Sequence, residues 1–221
     1  MDELAGGLWR WTARHPDWHP GQWGAEVASF ALDAGEVTLL IDPLVRDDDV
    51  AVLDRLDTLA RVPVAILITI PYHARSAERL WMRYRARGCT IHGHAAVAKR
   101  LSDTAGFTPL EPGAALPGGA RAFAIGKPRR FEMPLHLPSH RALAFGDALV
   151  TSPEGDLRIW HTDRVDAARA RWYRERFVPT LDPLRELDLE RILVTHGEPI
   201  LRDGGAALAS ALEGKPWYGH G

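Results

Sequence analysis

The chain lacks several features that mark particular classes of protein. It has a single cysteine among 221 residues, Cys89, and therefore cannot form an internal disulfide. Its longest apolar run, from Val62 to Ile70, is far shorter than the roughly 20 residues that a membrane helix needs. It begins without the basic segment followed by an apolar one that is typical of a secretory signal. We therefore expect a soluble, cytoplasmic protein without a membrane partner.

An excess of charge of one sign is also lacking. The 27 Lys and Arg residues stand against 29 Asp and Glu residues, for a net charge of -2. This balance gives no electrostatic reason to expect nucleic acid as a partner. With 46% hydrophobic residues and no low-complexity tract, the chain can bury a sizeable core. We predict a single domain, residues 1–221, whose partner is a small-molecule ligand or substrate.

The first half of the chain alternates between strand-like and helix-like segments. Residues 8–42 contain strand-like segments whose connecting turn includes Asp33 and Gly35, which predicts an antiparallel meander. Residues 47–62 and 76–88 carry apolar side chains at helical spacing, which predicts two amphipathic helices. The segment Val64 to Thr69 between them is apolar at successive positions, as in a strand covered on both faces.

The second half repeats this alternation. Strand-like segments and helix-like segments follow one another at residues 89–101, 121–125, 131–137, 142–150, 163–177, 191–195 and 204–214. Two groups of strands interleaved with helices indicate two packed sheets with helices outside. We predict an α/β fold, an αββα sandwich of two mixed β-sheets with helices on the outer faces. Val64 to Thr69 and Arg191 to Thr195 are predicted to be interior strands.

Four polar residues follow apolar, strand-like segments: Asp42, His73, Asp147 and His196. In α/β proteins, functional sites gather beyond the carboxyl ends of strands, where a rigid sheet holds the side chains. We therefore expect these residues to share one site. Asp42 precedes Pro43 and is interpreted as structural, bracing either a neighbour or the Pro43 turn, and not as a metal ligand.

The motifs "LLIDPL", "ILITIPYHARS", "FGDALV" and "ILVTHGEPI" occur in this order, each at the end of an apolar segment. In order and spacing they resemble the metallo-β-lactamase fold hydrolases, from Leu39 to the last predicted helix. The resemblance implies an αββα sandwich that carries one or two metal ions at the edge of its sheets. Each motif is short, so their order carries the resemblance.

The chain departs from that family at the main metal-binding loop. The family pattern is of the type HxHxDH, whereas this chain has "PYHARS". The alignment puts Pro71 and Arg75 at the first His and the Asp positions, and Ser76 at the last His position. His73 alone is kept. The segment "IGKPRRFE", where the family has a further ligand, contains no histidine.

His73, Asp147 and His196 are the candidate metal ligands and catalytic residues that the resemblance leaves. Zinc accepts nitrogen and carboxylate ligands, and three of them with one water form a catalytic site. Arg75 is a permanent cation and would repel a second ion at close range. We therefore expect either no metal or one divalent ion, with zinc as the expected metal.

Two functions are open at this stage. The first is a divergent metallo-β-lactamase-fold protein with a degenerate metal site, which has lost the two-metal hydrolase centre and binds a small anionic ligand through Arg75 and Tyr72. The alternative is a one-metal hydrolase of an ester, thioester or phosphoester that uses His73, Asp147 and His196. Under the first hypothesis, Arg75 forms an ion pair with Asp147 or shares a bound anion with the histidines. Whether the protein is an enzyme is left open.

The N-terminal segment is rich in tryptophan and histidine, and its role is also open. Trp9 and Trp11 alternate as strand residues do, so core packing is expected for them. The later tryptophans, Trp18 and Trp23, could instead line a cleft or form a contact in a homodimer. His15 and His19 could be a ligand pair on one face of a helix, but a proline follows each of them and opposes that helix. We therefore interpret this segment as an ordered loop.

Overall fold

The computed structural model describes residues 1–20, 24–60 and 63–218. Trp23 and Val62, which were named above, lie outside the described residues. The strands are β1 (Asp2–Ala5), β2 (Leu8–Arg14), β3 (Glu26–Asp33), β4 (Thr38–Ile41), β5 (Val64–Ile68), β6 (Thr90–Gly93), β7 (Phe107–Pro109), β8 (Arg121–Ala122), β9 (Leu135–Leu137), β10 (Ala142–Phe145), β11 (Leu149–Thr151), β12 (Leu157–Ile159) and β13 (Arg191–Val194). The α-helices are α1 (Val50–Leu59), α2 (Ala77–Tyr84), α3 (Ala167–Trp172) and α4 (Gly204–Glu213).

Two mixed sheets form the middle of the molecule. The larger has the order β1-β2-β3-β4-β5-β6-β7, antiparallel from β1 to β4 and parallel from β4 to β7. The second has the order β13-β10-β9-β8, in which only the β10–β13 pair is parallel. The strands β11 and β12 form a separate antiparallel pair. The predicted meander of β2, β3 and β4 is confirmed.

The core has three apolar layers. The central layer joins the inner faces of the two sheets, with Phe30, Leu67 and Leu135 among its buried residues. On the outer face of the larger sheet, apolar residues of α1 and α2 pack against alternate residues of the same strands. On the outer face of the second sheet, α4 and the chain between α3 and α4 supply the cover. The predicted αββα sandwich is confirmed.

Details of the second sheet differ from the sequence-based prediction. The segment 191–195 was predicted to be interior, but β13 is the end strand of its sheet. It is nevertheless buried, because Ile192 also pairs with Ile200 and helix α4 packs over it. The segment 142–150 is two strands, β10 and β11. Gly146 separates them, where a Cβ atom would come within 2.6 Å of the Thr69 hydroxyl oxygen.

Other elements agree with the prediction in place and differ in type. The helix predicted after β6 is a 3₁₀-helix, Ala95–Arg100. The helix that begins with α3 continues as a π-helical turn, Tyr173–Phe177, and then as a 3₁₀-helix, Val178–Glu186. Trp9 and Trp11 are buried in the outer core layer of the larger sheet, as expected. No helix of the described residues is long and apolar enough to cross a membrane.

Candidate functional site

His73, Asp147 and His196 lie together beyond the carboxyl ends of their strands. The Nε2 atom of His73 is 3.4 Å from Oδ1 of Asp147, and Nε2 of His196 is 3.9 Å from the same oxygen. The parallel pairing of β10 with β13 aligns Phe145 with Val194, so the residues that follow these strands come out side by side. The proximity that the strand ends predicted is therefore present.

Asp42 is the brace of this site. Its Oδ2 atom lies 2.8 Å from Nδ1 of His73, and its Oδ1 atom accepts a hydrogen bond of 2.8 Å from the Thr69 main-chain N–H. The Thr69 hydroxyl also donates to Oδ2. Asp42 adopts a positive φ of 46°, which is uncommon for a residue other than glycine. The carboxylate thus fixes the orientation of the His73 ring, as the sequence predicted.

The loop after β5 is shaped by a proline and held by a serine. Pro71 opens a 3₁₀ turn, Pro71–Ala74, that carries His73. The Ser76 hydroxyl accepts a hydrogen bond of 3.0 Å from the Val45 N–H and donates one of 3.1 Å to the Val45 carbonyl. Ser76 therefore joins this loop to the segment after β4.

Arg75 takes a different position from the one predicted. Its Nη1 donates a 3.1 Å hydrogen bond to the main-chain carbonyl of Asp42, and its Nε is buried without a hydrogen-bond partner among the described residues. The predicted direct ion pair with Asp147 is wrong. The guanidinium that approaches Asp147 is that of Arg129, with Nη1 3.8 Å from Oδ2. The Arg75 backbone has a φ of 36°, and its side chain is directed to the Asp42 carbonyl.

Tyr72 does not join this group. Its side chain is largely exposed, and the guanidinium carbon of Arg100 lies 4.4 Å from its ring centre. The structure therefore places Tyr72 on the surface beside the 3₁₀-helix Ala95–Arg100.

Two residues of the segment before β9 belong to the site and were missed from the sequence. Arg129 lies 5.3 Å from the ring of Trp160, and that ring is 5.4 Å from the ring of His196. Glu132 is fully buried and accepts hydrogen bonds of 2.9 Å and 3.0 Å from the N–H groups of Gly146 and Asp147. The segment "IGKPRRFE" drew notice only for its lack of histidine, although its two arginines and its glutamate were visible.

The ionisable groups affect one another strongly. Burial and the Arg75 charge act to lower the pKa of His73, but the carboxylates of Asp42 and Asp147 outweigh them and raise it. Burial acts to raise the pKa of Asp147, but His73, His196 and Arg129 hold it well below its usual range. Burial lowers the pKa of His196 to about 4.

Glu132 differs from the other carboxylates of the site. Burial and the nearby charge of Asp147 raise its pKa to about 7, against the opposite effect of Arg129 and of the main-chain N–H groups of Ala148 and Asp147. His15 also interacts electrostatically with the site. Burial and the Arg75 charge lower its pKa, and the Asp147 charge acts to raise it. The N-terminal loop therefore approaches the site, which the prolines near His15 did not indicate.

The loop after β5 contains few metal-ligand side chains. Besides His73 it holds Pro71, Arg75 and Ser76, and the Ser76 hydroxyl is already bonded to Val45. In the part of the chain that the structure describes, no group of three His, Cys, Asp or Glu residues is arranged to hold a metal ion. Nor is Cys89 a nucleophile candidate, because burial raises the pKa of its thiol to about 12.

Comparisons with known proteins support the fold. No family model matches the chain, and no curated protein matches it in sequence. Solved structures do match. A metallo-beta-lactamase from Pontibacter korlensis has a TM-score of 0.65 at 14% identity, with 97% of this chain and 98% of that chain covered. A metallo-beta-lactamase family protein from Thermus thermophilus has a TM-score of 0.61 at 18% identity, with 96% and 78% covered.

A third structure is the metallo-beta-lactamase FIM-1 from Pseudomonas aeruginosa in its mono-zinc form, with a TM-score of 0.59 at 16% identity and coverage of 96% and 93%. Structural matches at identities this low establish a shared architecture. The chemistry of each chain has to be argued from its own residues. The sandwich of two mixed sheets, the site beyond the carboxyl ends of its strands and these structural matches together establish that this chain has the metallo-β-lactamase fold.

Proposed function

We propose that this chain has lost the two-metal centre of its fold and binds a small anionic ligand at Arg75 and Arg129. The observation that carries the proposal is the buried Nε of Arg75, which has no hydrogen-bond partner among the described residues. A buried charge that lacks partners is unfavourable, and an anion would supply them. Arginine is well suited to this, because its planar fork matches carboxylate and phosphate oxygens.

The charges around the site support an anion over a second cation. Two guanidinium groups are held there: Nη1 of Arg75 donates to the Asp42 carbonyl, and Nη1 of Arg129 lies 3.8 Å from Oδ2 of Asp147. Both cations would attract an anion and would repel a divalent ion at close range.

The alternative is a one-metal hydrolase of an ester, thioester or phosphoester. One observation favours it: the Nε2 atoms of His73 and His196 both face Oδ1 of Asp147, at 3.4 Å and 3.9 Å. Nitrogen and carboxylate donors suit zinc, and a bound zinc ion would supply an acidified water. Against it, no group of three His, Cys, Asp or Glu side chains among the described residues is arranged to hold a metal ion.

Calorimetric titration of the metal-stripped protein with inorganic phosphate and with acetate tests the proposal. We expect wild-type protein to bind at least one of the two anions, and Arg75→Gln to lose about tenfold or more of that affinity, because hydrogen bonds to charged groups contribute about 1.5–3 kcal/mol. Arg46→Gln is the matched control, since Arg46 is exposed and pairs with Asp48.

Metal analysis of the same preparations separates the two functions. The proposal predicts that protein dialysed against zinc retains none at this site. Stoichiometric zinc that is lost in Asp147→Asn, together with unchanged anion affinity in Arg75→Gln, would overturn the proposal and establish the one-metal alternative.

A further inference from the structure

A small cavity of about 300 Å³ lies between helix α3 and the end of helix α4. Its volume is at the lower end of the range of about 300–1,000 Å³ that is usual for small-molecule sites. None of the residues that line it belongs to the candidate site described above. The cavity is therefore a second place at which a small ligand can bind.

The inner wall of this cavity is apolar. Ile159 of β12, Tyr173 and Leu212 of α4 line it, and each of these side chains is at most 3% exposed. All three belong to the core layer on the outer face of the second sheet. Ala170 lines the cavity from α3, where a larger side chain would occupy part of the space. A hydrocarbon chain inside the cavity would be removed from water, which is favourable in proportion to the apolar area that it buries.

Hydrogen bonds fix the segment that closes the cavity after α4. The Gly214 N–H donates a bond of 3.0 Å to the Ser210 carbonyl at the end of the helix, and the Trp217 N–H donates one of 2.7 Å to the Ile159 carbonyl. The two residues between Gly214 and Trp217 line the cavity. Because both ends of this short segment are bonded to regular structure, the wall is formed before any ligand arrives, as in most small-molecule sites.

Two carboxylates and two cations line the exposed rim of the cavity, and only the carboxylates have partners. Asp166 accepts a hydrogen bond of 2.7 Å from a main-chain N–H in the first turn of α3. Oε1 of Glu213 lies 3.8 Å from Nη1 of Arg185. The side chains of Arg174 and Lys215 form no ion pair or hydrogen bond within the described residues. The charge that lacks a partner at this rim is therefore positive.

We propose that the cavity binds a small apolar carboxylic acid. Its hydrocarbon chain lies against Ile159 and Leu212, and its carboxylate accepts charge-assisted hydrogen bonds from Arg174 and Lys215. An amine of the same length would place its own positive charge beside these two cations, and acetate would gain only the charged contacts. The inference is independent of the proposed anion site, because the two sites share no residue.

Titrations followed by the main-chain amide signals in NMR measure both the affinity and the place of binding. Hexanoate, hexylamine and acetate are the probes, since only hexanoate combines the chain with the carboxylate. We expect hexanoate to shift the amide signals of Ala170 and Lys215 and to bind at least about tenfold more tightly than either of the others. Burial of about two methylene groups is sufficient for this factor over acetate.

Two variants test the wall and the rim, and each has a matched control nearby. Ala170→Leu fills part of the cavity and should weaken hexanoate binding about tenfold or more, whereas Ala168→Leu, on an exposed part of α3 outside the cavity, should not. Arg174→Gln should weaken hexanoate binding about threefold and should not weaken hexylamine binding. Arg176→Gln is its control, because Arg176 is exposed on the same turn and does not line the cavity.

The outcomes also distinguish the cavity from the anion site. Hexanoate that shifts no amide signal near Ala170, or that binds no more tightly than hexylamine, would overturn the cavity proposal, as would equal effects of Ala170→Leu and Ala168→Leu. Hexanoate binding that is lost in Arg75→Gln and kept in Ala170→Leu would overturn it and leave the anion site standing. Hexanoate binding that is kept in Arg75→Gln and lost in Ala170→Leu supports it, whether or not phosphate binds at Arg75. Near-ultraviolet circular dichroism of each variant verifies that the packing around the aromatic rings is retained.

Discussion

The loop after β5 and the ends of β10 and β13 contribute to one site in opposite ways. At the strand ends, Asp147 and His196 are of the types that the fold's metal-binding members use. In the loop, Arg75 is a cation with a buried Nε that donates to the Asp42 carbonyl, and Ser76 joins the loop to Val45. The comparison teaches that the strand ends fix where the side chains of the site lie, while the loop determines which charges they meet.

The largest effect is expected where the two regions meet, at Asp42. Its side chain is 3% exposed and holds both His73 and Thr69. Asp42→Ala should lower the free energy of unfolding by about 3 kcal/mol, because it leaves buried partners unpaired. Urea denaturation measures this change. Asp48→Ala is the control, and equal losses in the two variants would show that Asp42 does not act as a brace.

The pH dependence of the free energy of unfolding tests the role of Glu132 in the strand-end region. Its pKa is about 7 in the folded protein and 4.5 ordinarily, so the folded state holds this proton more tightly than the unfolded chain does. The stability that results is present below pH 4.5 and is lost as the pH rises to about 7. Relative to wild type, Glu132→Gln should therefore gain stability across this interval, by at most about 1.4 kcal/mol per pH unit.

His196 should show the opposite dependence. Its pKa falls from 6.5 to about 4 on folding, so its contribution is present above pH 6.5 and is lost as the pH falls to about 4. Relative to wild type, His196→Gln should gain stability as the pH is lowered through this interval. Denaturant midpoints at closely spaced pH values measure both trends. If the denaturant midpoint of either variant changes with pH in parallel with that of wild type, the burial assigned to the replaced side chain is wrong.

Arg75 tests the loop side of the comparison. Arg75→Gly should change the free energy of unfolding by no more than about 1 kcal/mol, because the relief of the positive φ offsets the loss of the hydrogen bond to the Asp42 carbonyl. The same variant should lose anion affinity. Arg46→Gly, at an exposed arginine, should be neutral or slightly destabilising. A loss of several kcal/mol in Arg75→Gly, with anion affinity unchanged, would show that Arg75 is a structural residue and not a ligand-binding one.

The smallest effect is expected at Tyr72. Its exposed contact with Arg100 should contribute about 0.5 kcal/mol, so Tyr72→Ala should change the unfolding midpoint only slightly. We expect its phosphate affinity to equal that of wild type. A clear loss of affinity would restore Tyr72 to the ligand-binding residues that the sequence indicated.

Much of the fold could be predicted because each layer leaves a periodic pattern. The continuous apolar run of β5 indicated a strand covered on both faces, and Gly88, with a φ of 74°, ends the helical segment that includes α2. The place of β13 at the end of its sheet could not be predicted. Parallel pairing joins residues far apart in sequence, and an apolar strand covered by α4 has the same pattern as an interior strand.

The site was predicted where strands end and missed where the backbone is irregular. His73, Asp147 and His196 follow apolar strands, so their convergence could be inferred. Arg129 and Glu132 lie in a segment without regular structure, and no periodic pattern reports where such side chains point. The orientation of Arg75 depends on a positive φ that its residue type does not signal.

Anomalous diffraction from crystals soaked either in selenate or in zinc tests the central claim most directly. The account predicts a selenium peak within hydrogen-bonding distance of the guanidinium groups of Arg75 and Arg129, and no zinc peak at Asp147. A zinc ion bonded to His73, Asp147 and His196, with no selenium at the arginines, would contradict it.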